Sequence, residues 1–293
     1  MKKATDFSPE VLELFDKYVH GGISRRQFLD GASKYAVGGM TAVALLHDLE
    51  PAYAEAQKVA PDDPRLSSEY VEYSSPQGAG TMRGLLARPA AGDGPWPGVV
   101  VVHENRGLNP HIEDVARRVA LEDFIVLAPD ALTPLGGYPG TDDEGRRMQG
   151  ERDRDEMFED FVAAVEWLQA NAECTGRVGA VGFCYGGGVV NGLAVRIPDL
   201  GAAVPFYGGQ PASEDVAAIN APLQIHYGGL DERVNAGWPA YQEALDAAGK
   251  SYEVFFYEGA NHGFNNDTTP RYDEEAADLA WERTIAFFNA NLR

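Results

Sequence analysis

From Pro61 onward the chain alternates two kinds of apolar spacing. Short unbroken runs, such as Val99-Val100-Val101-Val102, suit strands buried on both faces of a mostly parallel sheet. Between them apolar residues recur every three or four positions, as Phe158, Phe161, Val162, Val165 and Leu168 do, which is the spacing of an amphipathic helix. The runs predict strands over 69–74, 82–88, 98–103, 124–128, 178–182, 202–207, 223–227 and 252–257. The periodic stretches predict helices over 112–121, 153–170, 184–196, 237–248 and 273–292, the first of them started by Asn109-Pro110. Strand and helix alternating in this way predict one α/β domain over 55–293. Its sheet is mostly parallel, doubly wound and of about eight strands, with helices on both faces and a site at the carboxyl ends of the strands.

Residues 1–54 follow another pattern. Ser8-Pro9 can start a helix with Val11, Leu12, Phe15 and Val19 on its apolar face. Ser24-Arg25-Arg26-Gln27-Phe28-Leu29 resembles a twin-arginine export signal, and an apolar run over 35–46, too short to span a membrane, follows it. Ala52-Tyr53-Ala54 has the small residues of a signal peptidase site. The expectation is therefore a signal peptide over 1–54 handled by the twin-arginine export machinery, and a mature chain beginning at Glu55 in the periplasm or outside the cell.

Chemistry concentrates at Gly182-Phe183-Cys184-Tyr185-Gly186, directly after a buried strand and before a helix. This is the G-x-C-x-G form of a nucleophile elbow, with cysteine where serine is usual. Such a turn strains the backbone of its central residue, and side chains two positions away would collide with the neighbouring strand and helix, so glycines flank it. The helix amino terminus at Cys184 favours a thiolate. A dinucleotide-binding turn would need G-x-G-x-x-G, whereas the glycines here fall at 179, 182, 186, 187 and 188.

A cysteine nucleophile needs a base, and the base an orienting carboxylate, in the chain order nucleophile, acid, histidine. Among the histidines, His103 precedes the elbow at a strand end, His111 begins a helix expected to be solvated, and His226 sits inside an apolar strand as a core residue. His262 remains, in the loop Glu258-Gly259-Ala260-Asn261-His262-Gly263-Phe264 after the last strand. Asp231 follows the preceding strand through Gly228-Gly229-Leu230. For an oxyanion the candidate donors are the backbone amides of Tyr185 and Asn105, the latter in His103-Glu104-Asn105-Arg106-Gly107.

With Cys184, Asp231 and His262 in this order and the His103–Gly107 segment ahead of them, the chain resembles the dienelactone hydrolase family over about residues 65 to 292. The resemblance implies an α/β-hydrolase fold, no cofactor, and hydrolysis of an enol-lactone or related ester through a thioester. It also implies that Glu104 contacts the resting thiol and is displaced by substrate. The arginine that family members binding a carboxylate substrate carry four positions beyond the catalytic histidine is Asn266 here. Arg106 is the candidate substitute as an anion clamp, or else an exposed salt-bridging arginine; Arg146, Arg147, Arg152 and Arg154 lie in a charged stretch without a clear counterpart.

Charge and cysteine count narrow the alternatives. The net charge of -21 would repel a phosphate backbone, which excludes nucleic acid as a partner. The acidity belongs to residues 55–293, since the first 54 carry six basic and seven acidic groups. With two cysteines, Cys174 and Cys184, placed at opposite ends of a predicted strand, no disulfide is expected. His103-Glu104 lacks a second histidine at helical spacing, so no metal ligand set is legible. The partner is a small-molecule ester or lactone. The competing class is a non-hydrolytic exported thiol redox or ligand-binding protein using the same cleft, weakened by the want of a resolving cysteine.

Overall fold

The computed structural model describes residues 2–36 and 41–293. Eight strands form one sheet: β1 (Leu66–Ser75), β2 (Gly80–Pro89), β3 (Trp96–Val102), β4 (Ile125–Pro129), β5 (Cys174–Phe183), β6 (Ala202–Phe206), β7 (Leu223–Gly228) and β8 (Tyr252–Tyr257). Their spatial order is β1-β2-β4-β3-β5-β6-β7-β8. The β1–β2 and β2–β4 pairs are antiparallel and all the others parallel. Each predicted strand is present.

The helices, in chain order, are α1 (Pro9–Val19), α2 (Arg25–Ala32), α3 (Ala42–Leu49), α4 (Tyr53–Ala56), α5 (Pro110–Ala120), α6 (Asp142–Glu151), α7 (Arg154–Gln169), α8 (Tyr185–Arg196), α9 (Glu232–Asn235), α10 (Trp238–Ala247) and α11 (Glu274–Leu292). Two apolar cores lie on opposite faces of the sheet. One holds Phe161, Val165 and Leu168 of α7 with Val190 and Leu193 of α8; the other holds Ile112 and Val115 of α5 with Ala280, Phe288 and Leu292 of α11. Val100 and Val102 face the first core and Val99 and Val101 the second, so alternate residues of one strand supply both layers. That two-sided burial explains the unbroken valine run.

Helix α6 was not predicted. Its sequence, Asp-Asp-Glu-Gly-Arg-Arg-Met-Gln-Gly-Glu, has little apolar periodicity, and ion pairs Arg147–Glu144 and Arg147–Glu151 line its solvent side.

The described part of residues 1–54 folds against this domain. The helix expected after Ser8-Pro9 forms as α1, though Ser8 makes no side-chain cap bond, and its Val11, Phe15 and Val19 pack with Phe28 of α2 and Leu46 and Leu49 of α3 into a third core. The paired arginines Arg25 and Arg26 open α2, where Ser24 and Gln27 form a capping box. Residues 37–40 of the apolar run over 35–46 lie outside the described residues. Ala52-Tyr53-Ala54 runs into α4, and Tyr53 reaches Asp142 with its hydroxyl at 2.6 Å. No helix among the described residues is long and apolar enough to cross a membrane.

Candidate active site

Parallel strands β3, β5, β7 and β8 all end on one edge of the sheet, and each hands its chain to a loop carrying site residues. Cys184 follows β5 at φ 56° and ψ −112°, the strained conformation expected at an elbow, and caps α8. The glycines around it are sterically required: a Cβ on Gly182 would meet the Gly186 carbonyl, one on Gly186 the Val102 carbonyl, and one on Gly187 the Phe206 carbonyl. Cys174, at the start of β5, is buried, and both cysteines are free.

Asp231 follows β7 and His262 follows β8. Nδ1 of His262 lies 2.5 Å from Oδ2 of Asp231, and Asp231 also accepts from the Val234 amide at 3.2 Å as the cap of α9. The ring turns its Nε2 toward Cys184. The three residues predicted from separate loops therefore gather at one place, with a ring nitrogen of His262 within 4.8 Å of the Cys184 sulfur.

His20, the C-cap residue directly after α1, was not anticipated. Its Nε2 is 3.3 Å from Cys184 Sγ and 3.2 Å from His262 Nε2. Its Nδ1 is 2.8 Å from the carbonyl of Asp16 and 3.2 Å from that residue's Oδ1, the two side chains sitting one turn apart on α1. Asp16 is held in turn by Arg271 at 3.3 Å. A cavity of about 180 Å³ lies over the thiol, lined by His20, Asn105, Tyr185, Tyr207, Arg233 and His262 among others. Tyr207 is buried, packs tilted with its ring centroid 4.9 Å from that of His262, and has no partner for its hydroxyl among the described residues. Nothing near His20 in sequence announces it; only the apolar face of α1 hints that its end is docked.

Electrostatics favour charge separation. Burial opposes ionisation of Cys184, but the His20 and His262 imidazoles beside it outweigh burial and bring the thiol down to about 5. Burial lowers His20, and the Cys184 thiolate with Asp16 more than reverses this, raising it to about 9. His262 is likewise raised, against burial, by Cys184 and Asp231. Asp231 is lowered because the hydrogen bond from His262 outweighs its burial.

The loop after β3 reaches the cavity through Asn105, whose Nδ2 donates to the Val19 carbonyl at 2.7 Å. Tyr185 opens α8, so its amide has no partner within the helix. Glu104 and Arg106 are placed differently from expectation. Arg106 is 5 % exposed and bridges Glu104 at 2.8 Å and Asp142 at 2.6 Å; it is neither a surface arginine nor a free anion clamp. Asn266 donates to Glu104 at 3.2 Å, so the residue at the arginine position ties down the glutamate. The partners of the Glu104 carboxylate are Arg106 and Asn266, whereas the groups beside the thiol are His20 at 3.3 Å and His262 within 4.8 Å.

Three further histidines, His226, His103 and His111, are structural. His226 is buried between Tyr257 and Gln224, stacked on Phe206, and held neutral down to about 3 by burial. His103 accepts from the Ala131 amide through Nε2. His111, expected to be solvated, is buried, with Nδ1 3.2 Å from Asp267.

A mostly parallel eight-stranded sheet with a cysteine elbow after one central strand, and acid and histidine after the next strands, defines an α/β-hydrolase. Comparison with known proteins gives the family. The Dienelactone hydrolase family profile matches residues 82–292, and a YqhI-like profile matches residues 1–37. A putative hydrolase fragment, YghX, of Escherichia coli is 57% identical over 114 residues, covering 39% of this chain and 97% of that one. A putative carboxymethylenebutenolidase of Salmonella typhi is 31% identical, over 73% of this chain and 85% of its own length. Among solved structures, a putative dienelactone hydrolase of Klebsiella pneumoniae superposes with a TM-score of 0.67 at 28% identity, covering 76% of this chain and 99% of its own. A dienelactone hydrolase-like promiscuous phosphotriesterase from metagenomic libraries superposes at 0.68 and 26% identity, covering 78% and 100%. The chain belongs to the dienelactone hydrolase family, and is a hydrolase of esters or lactones.

Proposed function

We propose that this hydrolase works through Cys184 as its nucleophile and a thioester intermediate. The observation that carries the reading is the strained, glycine-flanked Cys184 with a ring nitrogen of His262, backed by Asp231, within 4.8 Å of its sulfur. The thiolate attacks the ester carbonyl carbon, and the carbonyl electron pair moves onto oxygen, where the amides of Asn105 and Tyr185 receive it. As the carbon–oxygen bond breaks, the imidazolium of His262 protonates the departing alkoxide. Water then adds to the thioester with His262 taking its proton; the carbon–sulfur bond breaks, releasing the acid and restoring the thiolate.

Glu104 acts here as a positioning residue: paired with Arg106 and Asn266, it fixes the loop that presents the Asn105 amide. The cavity of about 180 Å³ suits a small acyl group, below the roughly 300–1,000 Å³ of drug-sized ligand sites. With Arg106 neutralised by two carboxylates and Asn266 in place of the family arginine, the reading favours uncharged esters and lactones over dienelactone carboxylates. Purified chain assayed on matched neutral and anionic lactones tests this; faster turnover of the anionic member would overturn the preference.

The order of paired arginines, short apolar run and Ala52-Tyr53-Ala54 supports a second proposal: export by the twin-arginine route to the periplasm or beyond, with cleavage before Glu55. Cleavage there would remove His20 from the site. Intact mass of the chain recovered outside the cytoplasm is the test, with a start at Glu55 expected and a start at Met1 contradicting it.

A further inference from the structure

His20, Cys184 and His262 present three ligand atoms that all lie within 4.8 Å of one another. We infer that they form a binding site for a zinc-class divalent metal, and that this metal holds the enzyme inactive by occupying its thiolate.

The spacing fits. Zinc bonds of ~2.0–2.1 Å to nitrogen and ~2.3 Å to sulfur, set at tetrahedral angles, put ligand atoms roughly 3.3–3.6 Å apart. The observed separations from His20 Nε2 are 3.3 Å to Sγ and 3.2 Å to His262 Nε2. The second shell fits as well. Each imidazole directs Nδ1 at an aspartate, Asp16 for His20 and Asp231 for His262, which leaves Nε2 of each ring as the inward lone pair. Two such nitrogens at 3.2 Å repel unless a proton or a metal lies between them, and both rings are anchored from behind.

Arg233 Nη2, at 3.2 Å from His20 Nε2, has to swing away, and its half-exposed side chain has room to do so. The fourth coordination position faces the cavity shared by Asn105, Tyr185 and Tyr207. On binding, the Nε2 protons of His20 and His262 leave to solvent and a lone pair of the Cys184 thiolate forms the sulfur–metal bond, so the electron pair required for attack is committed to the metal. Because His20 comes from the amino-terminal segment, only the full chain carries the complete ligand set.

The inhibitory consequence rests on the hydrolase reading; the binding itself does not. The test uses the full chain, stripped with a chelator and titrated with cobalt(II) and then zinc(II). A thiolate-to-cobalt charge-transfer band with tetrahedral ligand-field bands, displaced by one equivalent of zinc, is expected. Cys184→Ser should abolish the band, His20→Ala should weaken zinc affinity at least tenfold, and Asp16→Asn by roughly 10–100-fold because it loosens the hold on the His20 ring. Absence of the band in the full chain, or zinc affinity unchanged in both His20→Ala and Asp16→Asn, would overturn the site. One equivalent of zinc should stop ester turnover and chelator restore it. A metal-free chain that gives the cobalt spectrum but hydrolyses nothing would instead sink the hydrolase reading and leave the site standing.

Discussion

Across 164 positions of sequence, His20 Nε2 stands 3.3 Å from the sulfur of Cys184. The amino-terminal helix is therefore part of the active site's surroundings, and it brings a second imidazole to a thiol that already has one. The reactivity of that thiol becomes the first quantity to measure.

With Cys184 lowered to about 5, its alkylation rate should rise as pH increases through about 5 and then level off. An ordinary thiol would go on gaining rate up to about 8.5. Deprotonation creates the reactive form, so the sign is fixed: reactivity is lost on acidification. His20→Ala removes one of two stabilising cations and should move the midpoint upward, which iodoacetamide kinetics across pH would record.

Asp231→Asn should keep the fold and cut kcat, because the amide no longer holds His262 with Nε2 as the proton acceptor. A loss on the order of 10²–10⁴ is expected, by analogy with the serine triad. An unchanged kcat would separate Asp231 from the reaction.

Gly186→Ala places a methyl group against the Val102 carbonyl of the neighbouring strand, a backbone atom that cannot move alone. The expected outcome is a lower Tm, roughly 2–4 °C for each kcal/mol lost, together with reduced activity as Cys184 is re-aimed. Gly209→Ala meets open space and should leave Tm nearly unchanged, which makes it the matched control.

Arg106→Met leaves Glu104 and Asp142 buried without their shared cation, and breaking such a pair costs about 3–5 kcal/mol. Thermal unfolding should show a large drop, with a partial recovery at low pH as the carboxylates take up protons. Indifference of Tm to the change would remove the role given to this network.

Much of this was legible in the chain. The eight strands announce themselves because burial on both faces demands unbroken apolar runs, and the elbow announces itself because steric exclusion demands glycines at fixed offsets from Cys184. Asp231 and His262 were legible as candidates from chain order together with their places in the loops after the last two strands. His20 was not: its placement depends on how α1 docks, a long-range packing event that leaves no local spacing. The pairing of Glu104 with Arg106 was hidden for a related reason. A charged residue in a loop reads as solvated until the fold supplies Asp142 from α6, itself a helix without an apolar stripe.

The central claim is that Cys184 attacks the ester and carries its acyl group. Intact-protein and peptide mass spectrometry of the chain quenched in acid during turnover of a slow ester measures this directly. The account predicts a mass increase equal to the acyl group, located on the peptide containing Cys184, sensitive to hydroxylamine and lost in Cys184→Ala together with turnover. Undiminished hydrolysis by pure Cys184→Ala, or an acyl group found on another residue, would contradict it.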